Sequence, residues 1–374
     1  MKITVEASRL RDALKSCAAT PRAIIPITKG VLLDPVGSSV VMVRSLDTNN
    51  GIYLEDELAC TVEDEGPGIV VEAQPLAAAL NGINGRVVLT VDKSGVSVTR
   101  PEVGTHRFNY SLPYWPAKDF PWKDTPKHVN DLEISPIELR DAINVVSYCV
   151  DPKLFGHPSM VGVHVGKSIV GAVDGMRAAV STIDNPGGEV FFIRHGGIAP
   201  LLAELKKDCF ITLGRFGKDD SPDCMMVQNE GRTFTLKLES ETMPPIQQII
   251  DRAGPSICEP IFNKEKLLES LKRLQAYILS EKTMVVTDLE GGDGGATFTG
   301  RLFSEKGGAP ASEFVPLDLG IVTKITLNLR FLIDAVSRIP GDSVQLEISD
   351  QEKAIFIHRP GEQMPLHIQM PIKN

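Results

Sequence analysis

Histidine and cysteine are the side chains that could do chemistry near neutral pH, and the chain holds seven of the first and six of the second. Cys149, His157 and Asp174 are the residue types of a nucleophile, base and orienting acid, a set in which a thiolate attacks and an imidazole takes up and returns the proton. Nothing in their spacing supports that use, and neither HExxH nor GxSxG occurs. His157 and His164 lack a third ligand at helical or hairpin spacing, so they do not make a zinc site. His164 reads as a strand residue and His157, beside Pro158, as a loop residue. The cysteines form no CxxC pair and no secreted disulfide framework, and buried thiols in a reducing compartment are expected. The glycines of "DLEGGDGGATFTG" and "SEKGGAPASE" follow no GxGxxG or GxxxxGKS pattern, so they read as loops and not as a phosphate cradle. No catalytic residue, metal or cofactor is expected.

The remaining chemistry is charge, and its sign is unevenly spread. Six segments carry the i, i+3, i+4, i+7 apolar stripe of an amphipathic helix: 7–18, 73–83, 135–148, 195–207, 263–277 and 328–339. Ser135 with Glu138 has the pattern of a capping box, Asn263 is a plausible cap, and Pro340 with Gly341 stops the last helix. The six segments together carry +5, which leaves −14 on the rest of a chain of net charge −9. An acidic chain argues against nucleic acid, but basic helices within an acidic remainder would attract a phosphate backbone without reading sequence. Candidate DNA-facing side chains are Arg11, Lys15, Arg140, Lys206, Lys207, Lys272, Arg273 and Arg338. Arg11 and Lys15 share one helix face and are favoured over Arg9.

Each helix-like segment follows a strand-like run and leads into others, such as "RVVLTV", "MVGVHVG" and "SVQLEIS". The repeated unit is a strand, a helix and then strands. Six units pair into three similar domains, at 1–121, 130–250 and 258–374, with proline-rich 112–128 and 240–260 as linkers. The expected fold class is α+β, with helices on one face of the sheets along an arc that self-association could close. No apolar run approaches the roughly 20 residues of a membrane span. "MKITVEASRL" alternates like a strand without a signal-peptide core, so a cytoplasmic protein is expected.

At this point several motifs fall into a known order. "MKITVE", "RAIIPITKGVLL", "SLPYWPAKDFP", "VDGMRAAV", "ILSEK" and the terminal "MPIKN" resemble, in sequence, those of the bacterial DNA polymerase III beta subunit family, the replicative sliding clamps. The resemblance covers nearly the whole length. It implies a head-to-tail homodimer of three-domain subunits, helices lining a hole that duplex DNA passes through, and no catalysis. Such a ring is a processivity factor, tethering the replicative polymerase and other partners, including the clamp loader, beside the nucleoid.

The resemblance also implies residue roles. Arg22 matches an arginine that approaches DNA. Phe108 and Tyr110 match apolar positions at the dimer interface, with Ile278 and Leu279 on the partner edge. A pocket for a short partner peptide maps onto Met160, Val173, Gly175, Met176, Arg177, Ala178, Pro244, Gln248, Ile249, Ile368, Met370, Pro371 and Ile372. Met176 stands where histidine is usual, Ala178 where a larger residue is usual, Gln248 where arginine is common, and Asn374 where an apolar residue usually ends the chain. The pocket is therefore expected to prefer a different peptide, in a divergent member. The alternative reading is a repeat-built protein-binding scaffold with no DNA role, which gives no reason for basic helices.

Overall fold

Alternating burial along Lys2–Glu6 turns Ile3 and Val5 inward, and the next residue starts a helix that buries Leu10, Ala13 and Leu14 against the same core. This strand-to-helix step recurs along the chain. The computed structural model describes residues 1–15, 17, 23–101, 108–122, 126–154, 156–217, 221–278, 284–292, 294–302, 310–317 and 324–373. Among them are the helices α1 Ala7–Lys15, α2 Ala73–Ala79, α3 Pro136–Val146, α4 His195–Glu204, α5 Ile246–Ala253, α6 Lys264–Tyr277 and α7 Leu329–Arg338. The fold is mixed α+β, as the alternating segments imply.

Two compact units result: Met1–Ile137 with Ala199–Glu239, and Glu138–Ile198 with Ser240–Asn374. This partition differs from the repeat-based one because sheets continue across the repeats. In the first unit, Ile52–Leu54 and their neighbours in the long strand Ile52–Asp64 pair with Arg232–Lys237, while Cys60–Asp64 pair with Lys2–Glu6. The antiparallel path runs from Lys127–Asp131 at one end to Asn109–Leu112 at the other. α1 and α2 pack on it around Leu10, Leu14, Leu76 and Leu80.

The second unit has an eight-stranded sheet, in which Arg177–Thr182 pairs with Leu366–Gln369. It also has a four-stranded sheet ordered Ala311–Pro316, Gly295–Leu302, Val285–Gly292, Lys324–Asn328. α6 and α7 bury Leu267, Leu271, Leu274, Leu332, Ala335 and Val336 in one core with both sheets. Each such leucine contributes roughly 1.5–3 kcal/mol of burial. Both helices are capped by asparagine. Asn263 accepts from the Lys266 amide at 3.0 Å, and Asn328 from those of Arg330 and Phe331 at 3.0 and 3.3 Å. These side chains occupy backbone donors that a helix start leaves open.

Two expectations need correction. α5 lies inside 240–260, which the prolines made look like a linker. α4 ends at Glu204, so Lys206 and Lys207 lie beyond the helix, in the turn leading to Phe210–Arg215.

Candidate functional site

A tight hairpin with Gly175 and Met176 at its tip forms the lip of one cavity. Ile169–Val173 turns into Arg177–Thr182 through Asp174, Gly175 and Met176, with Val173 opposite Ala178. Gly175 has φ +85°, and no non-glycine described residue has positive φ. That is the signature of a loop whose first central position demands glycine. The Asp174 carboxylate closes the loop by accepting from the Met176 and Arg177 amides, both at 2.9 Å. From this lip the cavity runs over Ala178 and its cross-strand neighbour Ile368, between Pro244, Ile249 and Ala253 on one side and Lys353 and Ala354 on another. Its volume is about 470 Å³, room for a few apolar side chains.

Every residue assigned to the peptide pocket from the sequence lines this cavity, except Gln248, Pro371 and Ile372. Gln248 is exposed on α5, and the Ile372 amide donates to the Thr326 carbonyl at 2.8 Å. The sequence reading missed Pro245, Arg252, Ala253, Glu352, Lys353 and Ala354. The helix period of Ile246, Ile249, Ile250 and Ala253 was there to be found and would have placed Arg252 and Ala253 beside Ile249.

Arg177 fixes the lip from beneath. Its Nε donates to Asp174 at 2.8 Å and its Nη1 to Asp334 of α7 at 3.0 Å. Its guanidinium lies 4.0 Å from the centre of the Phe331 ring and 5.0 Å from that of Tyr148. On Tyr148 also rests Arg338, at 4.4 Å, and the Tyr148 hydroxyl meets Nδ1 of the buried His367 at 2.8 Å. Burial, helped by Arg338, pushes His367 down to about 3. Cys149 is buried as well, and burial pushes its thiol up to about 12, the wrong direction for a nucleophile. Exposed His157 lies in the turn before Pro158–Met160, and His164 sits in the strand Gly162–Val165, bonded to the Ser159 carbonyl at 2.7 Å. Among the described residues no group of three His, Cys, Asp or Glu could hold a metal ion.

No family model matches the chain. It is similar to the beta sliding clamp of Pseudomonas aeruginosa, 23% identical with all of both chains aligned. Its fold superimposes on Caulobacter crescentus pol III beta with a TM-score of 0.85, at 19% identity and full coverage of both chains. The DNA polymerase sliding clamp of Bacillus subtilis gives 0.84 at 17% identity, covering 100% and 99%. The fold is that of the bacterial sliding clamps. The resemblance read from short motifs is thereby borne out over the full length, at low sequence identity.

Within the clamp fold, the basic side chains divide by what holds them. Lys15, Lys206, Lys207 and Lys272 are exposed, Lys15 within 3.6 Å of Asp12. Arg140 pairs with the adjacent Asp141 at 3.0 Å, and Arg273 is gripped by both oxygens of Glu313 at 3.0 and 2.8 Å. Arg11 and Arg338 are corrections. Arg11 donates to the Leu80 and Ile83 carbonyls, each at 3.2 Å, and so closes the end of α2 instead of reaching outward. Arg338 is spent on Tyr148 and on the Asp334 carbonyl at 3.2 Å. Arg22, Leu279 and Asn374 lie outside the described residues.

The sheet edges divide likewise. Tyr110 is 46% exposed on Asn109–Leu112, which among the described residues has a strand on one side only, and Phe108 packs beside it, ring centres 5.6 Å apart. Ile278 is a further correction: it is buried against Leu274 and Gly300 at the end of α6, not displayed on an edge. Tyr277 and Phe314 are the exposed apolar residues nearby in sequence and sheet, 68% and 55% accessible.

Proposed function

We propose that the chain is a DNA sliding clamp, one subunit of a head-to-tail dimeric ring that surrounds duplex DNA and tethers a replicative polymerase. The observation that carries this reading is the full-length agreement with the clamp fold, at a TM-score of 0.85. In this reading the three repeats, 1–121, 130–250 and 258–374, are the clamp domains. The ring works by topology. It needs no catalytic group, and cytoplasmic DNA is held loosely because a few exposed lysines bind phosphate weakly and without sequence preference. Lys15, Lys206, Lys207 and Lys272 are the favoured contacts, with Arg140 and Arg273 already neutralised in part by carboxylates. The cavity beside α5 receives the apolar anchors of a short peptide from the polymerase or clamp loader, one partner at a time.

Two open sheet edges support ring closure. Asn109–Leu112 and Ala311–Pro316 each end a sheet among the described residues, with Tyr110 and Phe314 exposed on them. Unpaired edges with apolar side chains need a cover, and a second copy pairing edge to edge supplies one at each of two equivalent contacts. Light scattering over a dilution series is expected to give twice the 40.6 kDa chain mass. The double substitution Tyr110→Glu and Phe314→Glu is expected to give the single mass. A wild-type chain that is monomeric at every concentration would overturn the ring and favour the protein-binding scaffold.

A further inference from the structure

We infer that the cavity beside α5 selects a peptide with carboxylates next to its apolar anchors, held by Arg252 and Lys353. The inference rests on the reading of that cavity as a peptide site and adds the chemistry of the occupant.

Four charged side chains line the cavity, and two of them are already answered. Arg177 is matched by Asp174 and Asp334 at 2.8 and 3.0 Å. Glu352 is matched by Lys373 at 2.9 Å. Arg252 and Lys353 are exposed and have no hydrogen bond or ion pair among the described residues. The cavity therefore presents two unanswered positive charges in a chain of net −9. Arg252 stands on the last turn of α5, and Lys353 reaches the Gly254 cap of the same helix. Both cations thus stand at the C-terminal end of α5, in a lining that also holds the apolar Ala178 and Ile368. Gln248, one helical turn before Arg252, does not line the cavity and offers no charge. An apolar lining with cations at the end of α5 is complementary to a segment whose anchors are followed by Asp or Glu. Opposite charges across an interface set partner choice and orientation more than total affinity.

A bland account exists: cations near the end of a helix are stabilised by its dipole, with no ligand involved. The two accounts differ in what binding reads. Three fluorescein-labelled peptides with the same leucine and phenylalanine anchors, followed by Asp-Glu, Asn-Gln or Lys-Lys, are titrated against the full chain by fluorescence polarisation. The acidic peptide is expected to bind about tenfold tighter than the lysine peptide at low salt, with the gap narrowing at high salt. The double variant Arg252→Glu and Lys353→Glu, altered only at exposed side chains, is expected to reverse the order. Equal binding of all three peptides, or an order unchanged in the double variant, overturns the charge selection while leaving the cavity a peptide site. Failure of every peptide to bind the wild-type chain overturns the peptide-site reading itself, and this inference with it.

Discussion

Arg177→Leu is expected to destabilise the unit that holds it by about 3–5 kcal/mol, the usual cost of removing one partner from a buried ion pair. Only 12% of the Arg177 side chain and 7% of that of Asp174 are accessible, so the carboxylate left behind cannot be fully rehydrated without opening the hairpin. The loss spreads beyond the pair. Asp334 of α7 and the face of Phe331 lose their cation together, while Tyr148 keeps Arg338. Arg177→Lys restores the charge but not the planar fork, and is expected to recover only a minor part. The effect has a built-in control. Both tryptophans, Trp115 and Trp122, belong to the other unit, so tryptophan fluorescence should report an almost unchanged transition while circular dichroism reports the loss. Peptide binding should fall as well, because Asp174 and Arg177 shape the lip at Gly175 and Met176. A change below about 1 kcal/mol by circular dichroism would show that the network is not worth what its burial implies.

The second large effect is with pH. His367 is fully buried, and burial first and the Arg338 charge second hold it at about 3, against 6.5 when unfolded. The unfolded chain therefore binds a proton below pH 6.5 that the folded chain refuses. Stability is complete above that pH and is lost as pH falls toward the folded value. At 1.36 kcal/mol per pH unit, the loss by about pH 5 is roughly 2 kcal/mol, before the carboxylates titrate appreciably. Continued to pH 3 the loss is of order 4 kcal/mol. His164 is also lowered by burial and acts in the same direction, so the measurement is a difference. In His367→Gln, whose amide oxygen can still accept from the Tyr148 hydroxyl, the fall in urea midpoint between pH 6.5 and 5 should shrink by about 2 kcal/mol equivalents. Parallel pH curves for the two proteins would mean that His367 is protonated in the folded state.

How much of this was legible in the sequence follows from what each signal encodes. The start of α6 was legible because the cap is local: Asn263 accepts from the Lys266 amide three residues on. Strands and cores were legible because their periodicity is local too. α5 was missed because Pro244, Pro245 and Pro255 dominated an eight-residue segment, although Ile246, Ile249, Ile250 and Ala253 kept the helical period. Charge was legible in sign but not in use. Nothing in the sequence says that Arg11 would turn to the Leu80 and Ile83 carbonyls, some seventy residues away in the chain, or that Arg338 would lie on Tyr148. Long-range partners also decide burial, which is why Ile278, apolar next to an expected edge, is sealed under Gly300. The pocket was largely legible through the resemblance, since its hairpin and its final strand keep their motifs. Its Arg252 was not, because that residue belonged to the unrecognised helix.

The central claim is that this chain holds DNA by enclosing it, and retention by topology tests it most directly. The protein is incubated with nicked circular duplex, a clamp-loader complex and ATP, then passed through gel filtration in high salt. Enclosure predicts that the protein elutes with the circle, and that a single cut that linearises the DNA releases it. Equal retention on circular and linear DNA, or loss from both as salt rises, would mean that contacts and not a closed ring hold the protein, and would contradict the account.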